Sequence, residues 1–361
     1  RQGELMKRRS FMVAAGASPL LAAMPTAVNA KAEFRWKMVT AWPKNFPGLG
    51  TNANLLAQMI NTMSGGRIKI KVYGAKELVP AFEVFDAVSN GVAELGHSGA
   101  YYWKGKSATT QFFSAVPFGL TAQEMNGWLY YGGGMELWRE LYQPFGIIPA
   151  ATGNSGVQMA GWFNREINSF EDLGGLKMRI PGLGGEVLRR AGGTTVNIPG
   201  GELFTALQTG TLDATEWVGP YNDLAFGLHK VAKYYYYPGW HEPGSTMECL
   251  INEAAFNSLS KDLQEIVLVA CKAANLDMLS EYTARNNQAL KTLVDKHGVK
   301  VMALPDEVLK RLLALSENVV AELADSDEMA RRVYDSVMNF KQQVSAWHAL
   351  SEQAFLRARA L

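Results

Sequence analysis

In a chain of 361 residues, 35 Lys and Arg stand against 34 Asp and Glu, for a formal charge of +1. That balance argues against a nucleic-acid-binding or anionic-membrane-binding surface. Two cysteines, Cys249 and Cys271, form no CxxC and argue against structural zinc and iron–sulfur clusters, while their spacing leaves a disulfide between them open. At 48 % apolar residues the length suits two domains with real cores.

The first 30 residues read as a targeting segment. Met6 reads as the initiator, with residues 1–5 upstream of it. Lys7-Arg8-Arg9-Ser10-Phe11-Met12 is a basic start holding a twin arginine, and residues 11–24 are mildly apolar and rich in Ala. Ala27-Val28-Asn29-Ala30 sets small residues before a signal-peptidase cut. The apolar run falls short of the roughly 20 residues a membrane span needs. The expectation is a soluble, exported chain beginning near Lys31.

Phe34, Trp36 and Met38 alternate with Arg35 and Lys37, the period of a half-buried strand, and Thr40-Ala41-Trp42-Pro43 follows at its end. Residues 52–64 place Leu55, Leu56, Met59, Ile60 and Met63 on one helical face, and Gly65-Gly66 stops it. Residues 68–72 form the next strand, 80–89 a helix and 93–97 a third strand. This alternation predicts a wound α/β sheet. In such sheets ligands collect beyond the carboxyl ends of strands, which singles out Trp42 and residues 98–102. For Tyr101, Tyr102 and Trp103, core and cleft positions compete.

Residues 146–156 read as a crossover strand and turn. Gln158 lies in an apolar strand pattern; it is either solvent-facing or a buried amide that needs partners for both its oxygen and its nitrogen. The stretch 174–220 organises the second domain. It reads as strand 176–180, loop 181–185, helix 186–191, strand 195–198, helix 202–209 closed by Gly210, and strand 212–217. Arg179 and Glu216 stand at two strand ends, a candidate site for an anion and a cation together. Residues 233–240 form an aromatic strand, followed by His241-Glu242-Pro243, and 248–252 a strand crossing back to the first domain. Two crossings between α/β domains make a hinge and an interdomain cleft. The rest is mostly helical: 261–297, a strand 300–304, a helix from Pro305 to 323, and a last helix over 327–358. Val333, Val337, Phe340, Val344, Trp347 and Leu350 form a stripe on that last helix, which either completes the core or meets a second subunit.

The run Asp172-Leu173-Gly174-Gly175-Leu176-Lys177-Met178-Arg179-Ile180-Pro181-Gly182 resembles the signature of the extracytoplasmic solute receptors of TRAP transporters. So do Glu202-Leu203-Phe204-Thr205-Ala206-Leu207-Gln208-Thr209-Gly210, Leu212-Asp213-Ala214, the segment 87–96 and Val116-Pro117-Phe118-Gly119. Gln158, Glu216-Trp217, Pro238-Gly239-Trp240-His241-Glu242 and the extended last helix are most similar to the branch that binds 2-oxoacids such as pyruvate, or lactate.

The resemblance implies an α/β, two-lobed periplasmic binding protein fold with a hinge, an interdomain cleft and a long C-terminal helix. Lobe I would be 31–155 completed by about 245–275, lobe II 156–244 completed by about 276–325, and 326–361 a dimerisation helix. It implies a periplasmic receptor, not an enzyme, that hands a small carboxylate to the membrane permease subunits of a TRAP transporter. Carried over by position, Arg179 would pair with the substrate carboxylate. Gln158 through its side-chain oxygen, Glu216, the Trp217 backbone carbonyl and Glu242 would hold a bridging metal cation, sodium ahead of calcium. Trp42 and Tyr101 would line the cleft. The chemistry agrees: guanidinium matches a carboxylate in bidentate fashion, and hard cations take carboxylate, amide and backbone oxygens. The alternatives are a calcium-dependent lactate receptor of the same family and a periplasmic cofactor enzyme. Against the enzyme, the five His form no HxxH or HxH pair, Gly182-Leu183-Gly184-Gly185-Glu186 lacks the third Gly of a dinucleotide fingerprint, and no GxSxG occurs.

Overall fold

The computed structural model describes residues 32–361; the twin-arginine segment and the cleavage site lie outside them. Strand β1 (Phe34–Thr40) buries Trp36 and Met38, as its alternation requires, and leads through Trp42 and a Pro/Gly turn into α1 (Leu49–Met63). Then come β2 (Ile68–Tyr73), α2 (Val84–Ser89) and β3 (Leu95–Ser98). Two 3-10 turns, Ala100–Trp103 and Ala108–Phe113, follow. Helices α3 (Ala122–Tyr131) and α4 (Gly134–Tyr142), not anticipated from the sequence, precede the crossover strand β4 (Ile147–Asn154).

The second lobe contains β5 (Gly161–Phe163), β6 (Lys177–Arg179), α5 (Gly182–Arg190), β7 (Thr194–Val196), α6 (Leu203–Gln208), β8 (Ala214–Thr215), α7 (Pro220–Phe226) and β9 (Tyr234–Tyr237). The chain crosses back through β10 (Thr246–Asn252) and α8 (Glu253–Asn257) into α9 (Lys261–His297). It ends with β11 (Lys300–Ala303), α10 (Asp306–Ala324), α11 (Glu328–Leu350) and α12 (Glu352–Arg359).

The strands form two sheets, ordered β2-β1-β3-β10-β4 and β11-β9-β5-β8-β6-β7. β10, late in the chain, pairs antiparallel with both β3 and β4 and so completes the first sheet. β4 to β5 and β9 to β10 are the two crossings, and the fold is the expected two-lobed α/β clamp. α9 is unbroken over 37 residues, about 55 Å at the rise of an α-helix. It packs on α1 and β4 in one lobe and on α7 in the other.

Two expectations are corrected and two open alternatives are settled. The segment 181–185 is not a loop, because α5 starts at Gly182. The last helix is broken at Ser351, whose φ of -103° and ψ of -99° are not helical. Its apolar stripe divides: Val333 and Val337 are buried, whereas Trp347 and Leu350 are 64 % and 79 % exposed. Cys249 and Cys271 are free, buried thiols, so the open question of a disulfide resolves against it. Among the described residues no helix is long and apolar enough to cross a membrane.

Candidate functional site

Arg179 ends β6, between Val196 on β7 and Thr215 on β8. Glu216 is the next residue past β8, and its backbone N–H donates to the Arg179 carbonyl at 3.2 Å. The two side chains therefore leave adjacent strand ends on the cleft side, and both are buried. The Arg179 Nη1 donates to a Glu216 carboxylate oxygen, Nε to the Ile198 carbonyl at 3.1 Å and Nη2 to the Tyr102 hydroxyl at 3.1 Å. The guanidinium lies 5.1 Å from the Trp217 ring. A guanidinium has five N–H donors, so a donor on Nη2 remains for a ligand in the cleft.

The second half of the site comes from the crossover segments. The Gln158 N–H donates to the Glu242 carbonyl at 3.2 Å, the Gly239 N–H to the Gln158 carbonyl at 2.8 Å, and the Ser155 N–H to the Ser245 carbonyl at 3.0 Å. Only glycine fits at 239, where a Cβ would stand 2.2 Å from the Gln158 carbonyl oxygen. This clasp sets two side chains together: Gln158 Nε2 donates to Glu242 Oε2 at 2.8 Å and to Ser155 Oγ at 3.1 Å. The Gln158 Oε1 is buried without a hydrogen-bond partner. His241 Nε2 lies 3.3 Å from Glu216 Oε2, and its Nδ1 is likewise buried and unpartnered. Ligand atoms of Glu216, His241 and Glu242 all fall within 4.8 Å of one another.

The electrostatics are those of a dry site. Burial pushes Glu216 up to about 7 against the pull of Arg179. Burial, then the charge of Glu216, pushes Glu242 up to about 7. Burial lowers His241 to about 4, so its imidazole is neutral at pH 7. Two buried carboxylates share a single guanidinium, and a buried amide oxygen has no donor. This oxygen-rich, net-negative arrangement is what a hard cation relieves, so the residues fit a bound metal.

The roof of the cleft is aromatic. Trp42, past the end of β1, lies 6.1 Å from Trp217 and 6.3 Å from Tyr102 between ring centroids. Its Nε1 donates to His97 Nδ1 at 2.8 Å, His97 Nε2 meets Asn52 Oδ1 at 2.8 Å, and Asn52 Nδ2 donates to the Ala274 carbonyl of α9 at 2.9 Å. Burial lowers His97 to about 3, consistent with a neutral ring that accepts from Trp42 and donates to Asn52. Tyr101 is buried, with its ring 4.5 Å from that of Tyr102.

The structure thus brings Arg179, Glu216, Trp217, Gln158, Glu242, Trp42 and Tyr101 into one buried cluster. Two further residues join it without an assigned role: Tyr102, the third partner of Arg179, and His241. Tyr102 had a legible signal in the aromatic run past a strand end. His241 had only its adjacency to Glu242. The glycines of 182–185 serve close approach, not a nucleotide: a Cβ on Gly184 would sit 2.8 Å from the His241 Cβ.

Residues 38–327 match the model of the family described as bacterial extracellular solute-binding protein, family 7 (DctP). Over 321 residues the chain is 44 % identical to the monocarboxylate 2-oxoacid-binding periplasmic protein of Nostoc sp. (strain PCC 7120), covering 89 % of this chain and 88 % of that one. The crystal structure of a TRAP periplasmic solute-binding protein from Pseudoalteromonas atlantica T6c with bound sodium and pyruvate superposes with a TM-score of 0.88. It is 44 % identical, over 91 % of this chain and 99 % of that one. A TRAP transporter solute-binding protein from Bordetella bronchiseptica RB50 superposes with a TM-score of 0.89 at 36 % identity, over 92 % and 100 % of the two chains. It is a mixed-occupancy dimer with calcium and picolinate in the active site.

Proposed function

The chain belongs to family 7 of the bacterial extracellular solute-binding proteins, and from that premise we propose that it is an extracytoplasmic receptor for a small 2-oxoacid such as pyruvate, held together with a metal cation. The observation that carries this reading is the buried Arg179 guanidinium set against two carboxylates and the unpartnered Gln158 Oε1. Arg179 supplies its remaining Nη2 donor, charge-assisted, for the ligand carboxylate. Gln158 Oε1, Glu216, the Trp217 carbonyl and Glu242 form the oxygen set for the cation. A cation held by these oxygens would offset the cost of burying Glu216 and Glu242 near an anion. Trp42, Tyr101 and Tyr102 exclude water from the ligand and hold its apolar end.

The same reading includes delivery to the membrane permease of a TRAP transporter and export through the twin-arginine signal that begins at Met6 and ends near Ala30. We assign the lobes as 31–155 with about 245–275, and 156–244 with about 276–325. A homodimer through the C-terminal segment is supported by the exposed Trp347, Leu350 and Phe355, and by the dimer of the Bordetella relative. Light scattering at micromolar concentration tests the dimer, and a monomer refutes it.

Calorimetric titration of the chelator-treated protein tests the receptor reading. The panel is pyruvate, longer 2-oxoacids, lactate, succinate and a sugar, each with sodium, with calcium and with neither. Cation-dependent binding of 2-oxoacids is the expected result. Lactate binding only with calcium would change the ligand, and no binding to any acid would end the reading.

A further inference from the structure

We propose that the outer edge of β2 accepts an extended acidic segment of another protein as an added strand. The surface lies along β2 and the first half of β1, whereas Trp42 meets the cleft beyond the carboxyl end of β1, so the proposal stands apart from the receptor reading. β1 and β2 pair in parallel, with Arg35 beside Lys69 and Lys37 beside Lys71. Register partners turn their side chains to the same face, so four cations share one patch of sheet. Arg35, Lys69 and Lys71 are exposed and Lys37 is half-buried. Like charges set side by side on neighbouring strands repel and weaken the pair. In a chain whose formal charge is only +1 this is a strong local concentration. Two neighbouring acids are committed elsewhere: Glu94 Oε2 accepts from the Lys37 backbone N–H at 2.7 Å, and Glu77 takes Lys44 Nζ at 2.8 Å and the Gly74 N–H at 2.7 Å. Among the described residues none of the four cations forms a salt bridge.

β2 is also the edge of its sheet. In a parallel pair, successive residues turn N–H and C=O alternately toward the partner and away from it. The Phe34 N–H donates to the Arg67 carbonyl at 2.9 Å, so Arg67, Lys69 and Lys71 face β1, while Ile68, Ile70 and Val72 face outward. Ser64 Oγ takes the Ile68 N–H at 3.1 Å. The outward backbone groups of Ile70 and Val72 are left for a further strand. Beside them is a groove of about 610 Å³, lined by Ala57, Gln58 and Asn61 of α1 with Ile70 and Val72. A strand seated on this edge puts alternate side chains into the groove and the others beside Lys69 and Lys71, so it alternates apolar and acidic residues.

Charge selects the occupant. A second copy of β2 would set lysine against lysine. Guarding the edge against self-association accounts for Lys69 and Lys71, but not for Arg35 and Lys37 on the inner strand. Those two lie about two strand spacings from the added strand, within the roughly 10 Å Debye length at 0.1 M salt, and add to the field that favours acid. An anionic bilayer would meet the four cations and leave the edge groups and the groove unused. An acidic strand uses all three.

The experiment uses the mature protein and fluorescence anisotropy of labelled peptides of about seven residues. One alternates Glu and Val, one alternates Lys and Val, and one is the Glu–Val peptide with a central Pro. Phosphatidylglycerol vesicles are titrated in parallel, and hydrogen exchange read by nuclear magnetic resonance follows the Ile70 and Val72 amides. The Glu–Val peptide is expected to bind, with the other two at least about tenfold weaker. Bound peptide should slow exchange at Ile70 and Val72 by about tenfold or more. Raising salt from about 50 to about 300 mM should weaken binding by about threefold or more. Lys69→Glu combined with Lys71→Glu should weaken it by about tenfold or more with no fall in melting temperature, since reversal turns the repulsion from Arg35 and Lys37 into attraction. No binding of the Glu–Val peptide at low salt, or binding that leaves Ile70 and Val72 exchange unchanged, overturns the proposal, and wild type alone decides this. Vesicle binding without peptide binding overturns it in favour of a membrane surface.

Discussion

Replacing Arg179 by lysine keeps the charge and removes the fork. In the structure the guanidinium serves three directions at once: Ile198 carbonyl through Nε, Glu216 through Nη1 and Tyr102 through Nη2. It also lies over Trp217. One ammonium nitrogen on a flexible stem cannot reproduce a planar arrangement of donors. The variant still balances Glu216, so it is expected to fold; what it loses is the Nη2 donation to a ligand carboxylate. One charge-assisted hydrogen bond lost corresponds to about 1.5–3 kcal/mol. At about 1.4 kcal/mol per decade, the dissociation constant for pyruvate should weaken by roughly 10- to 150-fold. Isothermal titration calorimetry at a fixed cation concentration measures it, with thermal melting on the same samples to establish that the fold is intact. Arg179→Met, which also strips Glu216 of its counter-charge, should in addition lower stability by about 3–5 kcal/mol. A folded lysine variant binding pyruvate within about threefold of wild type would show that Arg179 does not grip the carboxylate.

Three further outcomes are expected. Gln158→Met removes the unpartnered Oε1 at similar volume, so the cation concentration giving half-maximal pyruvate binding should rise by about tenfold or more, and an unchanged value would remove Gln158 from the cation set. Gly184→Ala drives a methyl group to 2.8 Å from the His241 Cβ and should cost about 1–3 kcal/mol in urea unfolding, less if α5 shifts; no loss would mean the contact is slack. Glu248, on β10, is buried with only the Trp103 indole and the Tyr142 hydroxyl as donors, and burial raises it to about 7. A folded-state value above the unfolded one makes its contribution full below about pH 4.5 and lost as pH rises through about 7, a swing of about 3 kcal/mol. Glu248→Gln should therefore gain on wild type as pH rises from 5 to 8, and parallel stability–pH curves would refute this.

Much of the site was legible because strand ends are where chain direction and ligand chemistry coincide. Arg179 and Glu216 stood out as charges closing short apolar runs, and the structure places them at the ends of adjacent strands. The period of β1 and the apolar face of α1 were equally plain. Other features had no local signal. The glycines 182, 184 and 185 read as a loop, yet they sit within α5, and they are glycine because Tyr101, His241 and the Ile180 carbonyl approach them closely. The stop at Ser351 is invisible to helical periodicity, which runs on through it. For Gln158 the ambiguity between solvent and interior was genuine, since it is settled only by Glu242, which lies 84 positions away. The place of His241 beside Glu216 depends on the same kind of remote meeting.

The clasp between residues 155–158 and 239–245 has a mechanical implication. These two strips connect the lobes, and they also carry Gln158 and Glu242. Under the proposed ligand assignment, no lever separates the joint from the grip: the torsions of these strips that swing the lobes also re-aim the amide and the carboxylate they carry. Openness and affinity then form a single coordinate. A substitution that loosens the joint, such as any side chain at Gly239, weakens capture by the same stroke, and selection cannot adjust one without the other.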